Sequence, residues 1–187
     1  MKLTQMLNAE WRRVVKRRIR GLTHADKRSL GIYSTIGAIN NLANAAGWRP
    51  NTVIDIGANQ GSWSLDVARE FPQATYLLIE PQQALEPQLS VACKSIGSNA
   101  SYHIALLGAE ARENVPFNFL GTGSSVLEET SGAKGDVASL VMRTLDDVLS
   151  GISFSTPALL KLDVQGYELE ILKGAANTLA AAEIVML

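Results

Sequence analysis

The nine residues Val53 to Gly61, VIDIGANQG, decide how this chain is read. A β-branched apolar run reaches an acid, Asp55, and then breaks into a glycine-containing turn, the pattern of a buried parallel strand that delivers a ligand-binding loop. Glycine at 57 and 61 permits positive φ and lets backbone amides approach a ligand with no Cβ in the way. The segment reads as a nucleotide-type cofactor site.

Spacing within the loop bears on the ligand. A dinucleotide fingerprint requires G-x-G-x-x-G, its second glycine admitting the pyrophosphate and its third packing helix on strand. Asn59 holds the second of these positions, and Gly61 is followed by Ser62, Trp63 and Ser64, which weakens an NAD reading and with it the alternative of a nicotinamide-dependent oxidoreductase. An acid just before the first glycine, as Asp55 is, suits a ligand with cationic groups, such as the amino group and sulfonium of S-adenosylmethionine, better than a pyrophosphate. Downstream, Tyr76 to Glu80, YLLIE, gives a second buried strand whose carboxylate lies about 20 residues past the loop, the distance at which an acid meets ribose hydroxyls. The competing reading of a glycine turn and a strand-ending acid is an ordinary α/β connection. Strand, loop, helix and second acid together favour the cofactor site.

Composition bounds the rest. At 187 residues and 47% hydrophobic, the chain supports one globular domain, residues 51–187, with an N-terminal appendage over residues 1–50. No apolar run approaches the ~20 residues that span a bilayer, and the charged N-terminus does not suit a secretory signal, so a cytoplasmic location is expected. The lone Cys93 cannot form an internal disulfide, and helical spacing with Leu85, Leu89, Ala92 and Ile96 assigns it to packing. A net charge of −1 conceals an asymmetry: residues 1–30 carry nine Lys or Arg against Glu10 and Asp26, or +7, which leaves −8 for the remainder. Leu3, Leu7, Trp11, Val14 and Ile19 fall on one stripe of a helix whose other side is basic. Such a helix suits an anionic membrane surface or an acidic partner; its plainer reading is a solvated face docked on the domain. Nucleic acid is disfavoured, because Trp11 alone interleaves with the basic residues.

Along the chain, helices and strands alternate. Helices are expected over Leu30 to Ala46, Ser62 to Glu70, Gln83 to Ile96, Leu145 to Leu149 and Tyr167 to Leu179; Gly47, Pro72 and Gly97 act as stops, and Thr144 caps the fourth. Strands are expected at Val53 to Ile56, Tyr76 to Glu80, Tyr102 to Leu107, Val115 to Leu120, Leu140 to Arg143, Ala158 to Leu162 and Glu183 to Leu187. Gly121 to Asp136, GTGSSVLEETSGAKGD, reads as a solvent-facing loop. This alternation predicts a parallel sheet with helices on both faces.

In such sheets ligands bind beyond the carboxyl ends of the strands, at the switch point in strand order. That rule puts Asp55, Glu80 and Asp163 at one rim. Leu159 to Ala175, LLKLDVQGYELEILKGA, is the second informative segment: Lys161 and Asp163 share a strand face, and Gly166 allows a tight exit into a helix. The bland alternative for Asp163 is a charge partner for that helix N-terminus.

VIDIGANQG, LLIEP, SSVLEE, VMRTLDDVL and KLDVQGYELEILKGA, in this order and spacing, resemble the FkbM family of S-adenosylmethionine-dependent methyltransferases, over about Thr52 to Leu187. The resemblance implies a Rossmann-like class I methyltransferase fold and methyl transfer, typically to a hydroxyl of a sugar or polyketide-type small molecule. Asn59 matches the family's own form of the loop, whereas Gln165 stands where many members have Glu, which leaves a general base at that position in doubt. Expected cofactor contacts are Asp55, the backbone of Gly57, Ala58, Asn59 and Gly61, then Glu80 on the ribose, and Pro81. Asp163 is expected to orient or deprotonate the acceptor, with Lys161 and Glu168 as second choices and Ser124 and Ser125 as lining. His103 reads as a core or edge histidine and His24 has no evident partner. No His/Cys/Asp cluster has metal-ligand spacing, so no metal is assigned. Related sequences continue beyond the strand at Glu183 with two further strands; a chain without them would leave AEIVML as an apolar sheet edge and predispose it to a homodimer. A cofactor-binding but inactive partner protein is therefore a second reading. A DNA-base enzyme is disfavoured because Asp163 to Gly166 lacks the proline and aromatic residues that grip a flipped base.

Overall fold

The computed structural model describes residues 35–119, 126 and 136–187. The basic helix expected in residues 1–30, Ser124 and Ser125 all fall outside these. Two compact units divide the chain, Met1–Arg49 and Pro50–Leu187. In the first, α1 (Thr35–Ala46) is the described part of the helix expected from Leu30, and its Asn41 side-chain amide donates to the Gly37 carbonyl at 2.7 Å. Among the described residues no helix is long and apolar enough to cross a membrane.

The second unit runs β1 (Thr52–Ile56), α2 (Ser62–Glu70), β2 (Thr75–Glu80), α3 (Glu86–Ile96), β3 (Ala100–Ile104), β4 (Leu106–Leu107), β5 (Arg112–Phe119), β6 (Asp136–Arg143), α4 (Leu145–Val148), β7 (Ala158–Leu162), α5 (Glu168–Lys173), α6 (Ala176–Ala181) and β8 (Ala182–Met186). β1 and β7 are buried along their whole length, the reason both read as continuous apolar runs rather than as alternating ones. Five strands form one parallel sheet in the order β3-β2-β1-β7-β8, flanked by helices, a Rossmann-like α/β fold. From β1 the chain steps outward to β3 and then returns to β7 on the other side of β1, so the switch point lies between β1 and β7. Their register sets Asp55 opposite Lys161. Ile54, Leu77, Leu160, Ile171 and Leu172 centre the core, with Leu145 of α4 packed among them.

A second sheet, β4-β6-β5, has a core of its own in Leu106, Val115, Phe117 and Met142. β5 and β6 pair antiparallel with an irregularity between Arg112 and Val115, where Asn114 takes a left-handed φ of 55°. The Phe117 and Phe119 rings meet edge to face, 5.1 Å between centroids.

Four expectations change. The apolar run Tyr102 to Leu107 is two strands rather than one: the Ala105 amide donates to the Glu80 carbonyl, after which Leu106 and Leu107 pair with Met142 and Arg143 in the other sheet. The helix placed from Gln83 starts as a 3-10 turn, Gln83–Leu85, and becomes α-helical at Glu86, since Pro87 lacks an N–H and fits only a first turn. Tyr167 to Leu179 is two helices, α5 and α6. They part at Gly174, where a Cβ would overlap the Gly108 carbonyl oxygen and lie 3.1 Å from Thr144 Cβ. β6 begins at Asp136, inside the stretch read as loop. Elsewhere Cys93 is buried in α3, and burial pushes its thiol pKa up, as suits packing. His103 in β3 is held below its ordinary pKa by burial, and its Nε2 has no hydrogen-bond partner among the described residues.

Candidate active site

The loop after β1 spends its backbone donors internally. Gly57 and Ala58 both donate to the Ile79 carbonyl, at 3.0 and 3.1 Å; Gly61 donates to Ala58 at 2.8 Å. Asn59, at a left-handed φ of 51°, donates its amide to Glu80 Oε2 at 2.9 Å. The two loop residues that line the cleft, Gly57 and Asn59, thus have their amides engaged within the protein and do not offer them to a phosphate there. Glycine is required for other reasons. At Gly57, φ 73°, a Cβ would overlap the Asp163 carbonyl oxygen; at Gly61, φ 81°, it would lie 2.7 Å from Ala92 Cβ of α3. Both are close approaches of protein to protein.

Asp55 lies apart from the cleft. Its side chain is fully buried; Oδ1 takes the Lys161 ammonium at 2.8 Å, and Oδ2 accepts from the Ser64 hydroxyl at 2.7 Å. With both oxygens engaged inside the protein, Asp55 is placed to hold the loop, and it is absent from the residues that line the cleft. Lys161 is likewise drawn inward. Its Nζ also reaches the Gly57 carbonyl at 3.4 Å and stands 5.3 Å from the centre of the Trp63 ring, so it is not presented to a substrate. The two residues tie β1, β7 and the start of α2 together beneath the loop. Ala58, 4% exposed, sits with them away from the cleft, as does Gly61.

Glu80 and Asp163 do share one cleft, beyond the carboxyl ends of β2 and β7, together with Gly57, Asn59 and Pro81. Glu80 Oε1 accepts from the Gln82 amide at 3.2 Å and from its side chain at 3.0 Å, while among the described residues Oε2 accepts from the Asn59 amide alone. Asp163 is less committed. Its side chain is 62% exposed, with the Lys161 ammonium at 3.9 Å and the Gln165 amide at 3.5 Å as its contacts. Glu168 does not line the cleft; Oε1 accepts from the Val164 and Gly166 amides, at 3.2 and 3.1 Å, and fixes the turn in which Gln165 holds φ 57°. Several lining residues went unmarked in the sequence, Gln82, Phe117 and Tyr167 among them. Gln82 follows the strand-ending Glu-Pro and was discoverable by position. Phe117 is an apolar strand residue like many others, and nothing local marks it.

Comparison with known families settles the class, because the model of the methyltransferase FkbM domain matches residues 55–187. The chain belongs to the FkbM methyltransferase family. Its FkbM domain begins at the buried Asp55 and takes in Glu80, Asp163 and the small sheet that carries Phe117. Among the described residues no group of three or more His, Cys, Asp or Glu is arranged to hold a metal ion. A comparison with curated proteins found no match.

Proposed function

We propose that this FkbM methyltransferase transfers a methyl group from S-adenosylmethionine to a hydroxyl oxygen of a small molecule of the sugar or polyketide type. The observation that carries the reading is the pair of carboxylates, Glu80 and Asp163, on one cleft at the switch point, above a loop whose amides are turned inward. A pyrophosphate would find the Gly57 and Asn59 amides already engaged there, whereas a ribose needs only the acceptor capacity that Glu80 Oε2 retains beyond the Asn59 amide. This supports S-adenosylmethionine over a nicotinamide dinucleotide. When bound, that cofactor supplies a methyl group on a sulfonium, already activated for transfer. Glu80, Gly57, Asn59 and Pro81 are the residues in position to hold it.

The chain's remaining tasks are to align the acceptor hydroxyl and take its proton. Asp163 suits both: it lines the cleft with its carboxylate largely exposed, and among the described residues no donor lies closer to it than the Gln165 amide at 3.5 Å. Asp55 and Lys161 act from below, by fixing Gly57, and Glu168 by fixing the turn after Asp163. The test is transfer of labelled methyl from S-adenosylmethionine to a panel of hydroxylated sugars and macrolides. Asp163→Asn is expected to lower turnover by about 10²- to 10⁴-fold with cofactor affinity unchanged. Gln165 lines the cleft at the position where the resemblance puts Glu in many members of the family, and it favours the second reading, a cofactor-binding protein without transferase activity. Cofactor binding with no transfer to any acceptor would select it.

A further inference from the structure

We infer that the small sheet and the turn after β7 build an acceptor subsite in which the Phe117 ring and the Tyr167 hydroxyl select a hydroxyl carried beside an apolar ring. This rests on the methyltransferase reading and narrows its substrate class. The cleft is uneven along its length. Toward β2 it is lined by Glu80, Gln82 and Asn59; toward the small sheet it is lined by Phe117, Leu106 and Tyr167. Phe117 is 3% exposed, packed with Leu106, Val115 and Met142, and met edge-on by Phe119, so its ring is fixed where it borders the cleft. Tyr167 packs against the same cluster. Its hydroxyl makes no hydrogen bond among the described residues, although Tyr167 lines the cavity.

Chain geometry ties this wall to the proposed chemistry. Tyr167 follows Asp163 by four residues, across the turn that Glu168 pins through Val164 and Gly166. Carboxylate and phenol are therefore held by one rigid segment, the first to take the reacting hydroxyl and the second to bond a neighbouring oxygen of the same acceptor. A bare polyol set against Phe117 and Leu106 would leave hydroxyls desolvated and unpaired on an apolar wall, which disfavours its binding. A ring-bearing acceptor places apolar surface there and keeps its oxygens for Asp163 and Tyr167.

Phenyl β-D-glucoside and methyl β-D-glucoside share their hydroxyls and differ in the apolar ring. Each is titrated by ligand-detected NMR into the full chain saturated with S-adenosylhomocysteine. The phenyl compound is expected to bind about tenfold more tightly. Phe117→Leu, which keeps an apolar side chain in the small sheet, should reduce that ratio several-fold, and Tyr167→Phe should weaken the phenyl glucoside about threefold or more while S-adenosylhomocysteine binds as before. Equal affinities, no binding of the phenyl compound, or a Phe117→Leu variant with an unchanged ratio overturns the subsite and leaves the cofactor reading standing. Failure of the unmodified chain to bind S-adenosylhomocysteine overturns the cofactor reading, and the subsite falls with it.

Discussion

Lys161→Met removes the cation from a carboxylate that has no water to turn to. In the native fold Lys161 Nζ lies 2.8 Å from Asp55 Oδ1, with side-chain exposures of 9% and 0%. Breaking a buried pair by deleting one partner costs about 3–5 kcal/mol, because the survivor keeps its desolvation penalty without the compensating charge. Here Ser64 continues to donate to Asp55 Oδ2, which sets the expected loss at the lower end, about 3 kcal/mol. At about 1–3 kcal/mol per molar of urea, the unfolding midpoint should fall by about 1–3 M. The diagnostic is the cycle with Asp55→Asn: the double variant has no buried charge, so it should be more stable than the sum of the single losses implies by about 2 kcal/mol. Urea unfolding followed by circular dichroism on the four proteins gives every value. A Lys161→Met loss below about 1 kcal/mol, or additive single losses, would refute the claim that this pair holds the loop to β7.

Asp146 is a cap lent by α4 to α6, which has no side-chain cap of its own: Oδ2 accepts from the Asn177 amide at 2.8 Å, and Oδ1 from the Thr178 amide and hydroxyl at 2.9 and 2.8 Å. Asp146→Ala should cost about 2 kcal/mol in chemical denaturation. Burial alone would raise the Asp146 pKa, but the donors from Asn177, Thr178 and Ala176 outweigh it and hold the carboxyl below its ordinary value. Its contribution is therefore full above the unfolded value of about 3.9 and is lost as pH falls through the folded one, so wild type and variant should converge in stability below about pH 4. Gly57→Ala and Gly151→Ala form a controlled pair, with φ of 73° and 80°. Open space surrounds a Cβ at 151, and the Asp163 carbonyl blocks one at 57. The first should cost at least about 1 kcal/mol more than the second by thermal denaturation. Equal losses would contradict the close approach of the loop to the β7 exit.

Much of the α/β frame was legible because its signals are local. β1, β2 and β7 announce themselves as apolar runs ending near an acid, and α2 is bounded by Gly61 and Pro72, so its expected and observed limits coincide. What escaped depends on partners distant in the chain. An apolar run such as Tyr102 to Leu107 does not reveal where it changes sheet, because Met142 and Glu80, which decide it, lie far away. The break at Gly174 is set by the Gly108 backbone and by a cap from Asp146. Asp55 is the instructive case. An acid before a glycine turn reads as a rim residue in any sequence, and only the register that brings Lys161 opposite it shows that its charge is already answered. Glu80 and Asp163, each last on its strand or one residue beyond, do reach the rim as expected.

The proposed chemistry requires S-adenosylmethionine to bind in the cleft above β1 and β7. Isothermal titration calorimetry of the full chain tests it directly, with S-adenosylmethionine, S-adenosylhomocysteine and NAD as ligands and Glu80→Gln as the comparison protein. Saturable one-site binding of the first two is expected, with none of NAD, and affinity about tenfold or more weaker in Glu80→Gln, where a carboxylate acceptor for the ribose is lost. Binding of NAD in place of the sulfonium ligands, or no binding of any of the three to the unmodified chain, would contradict it.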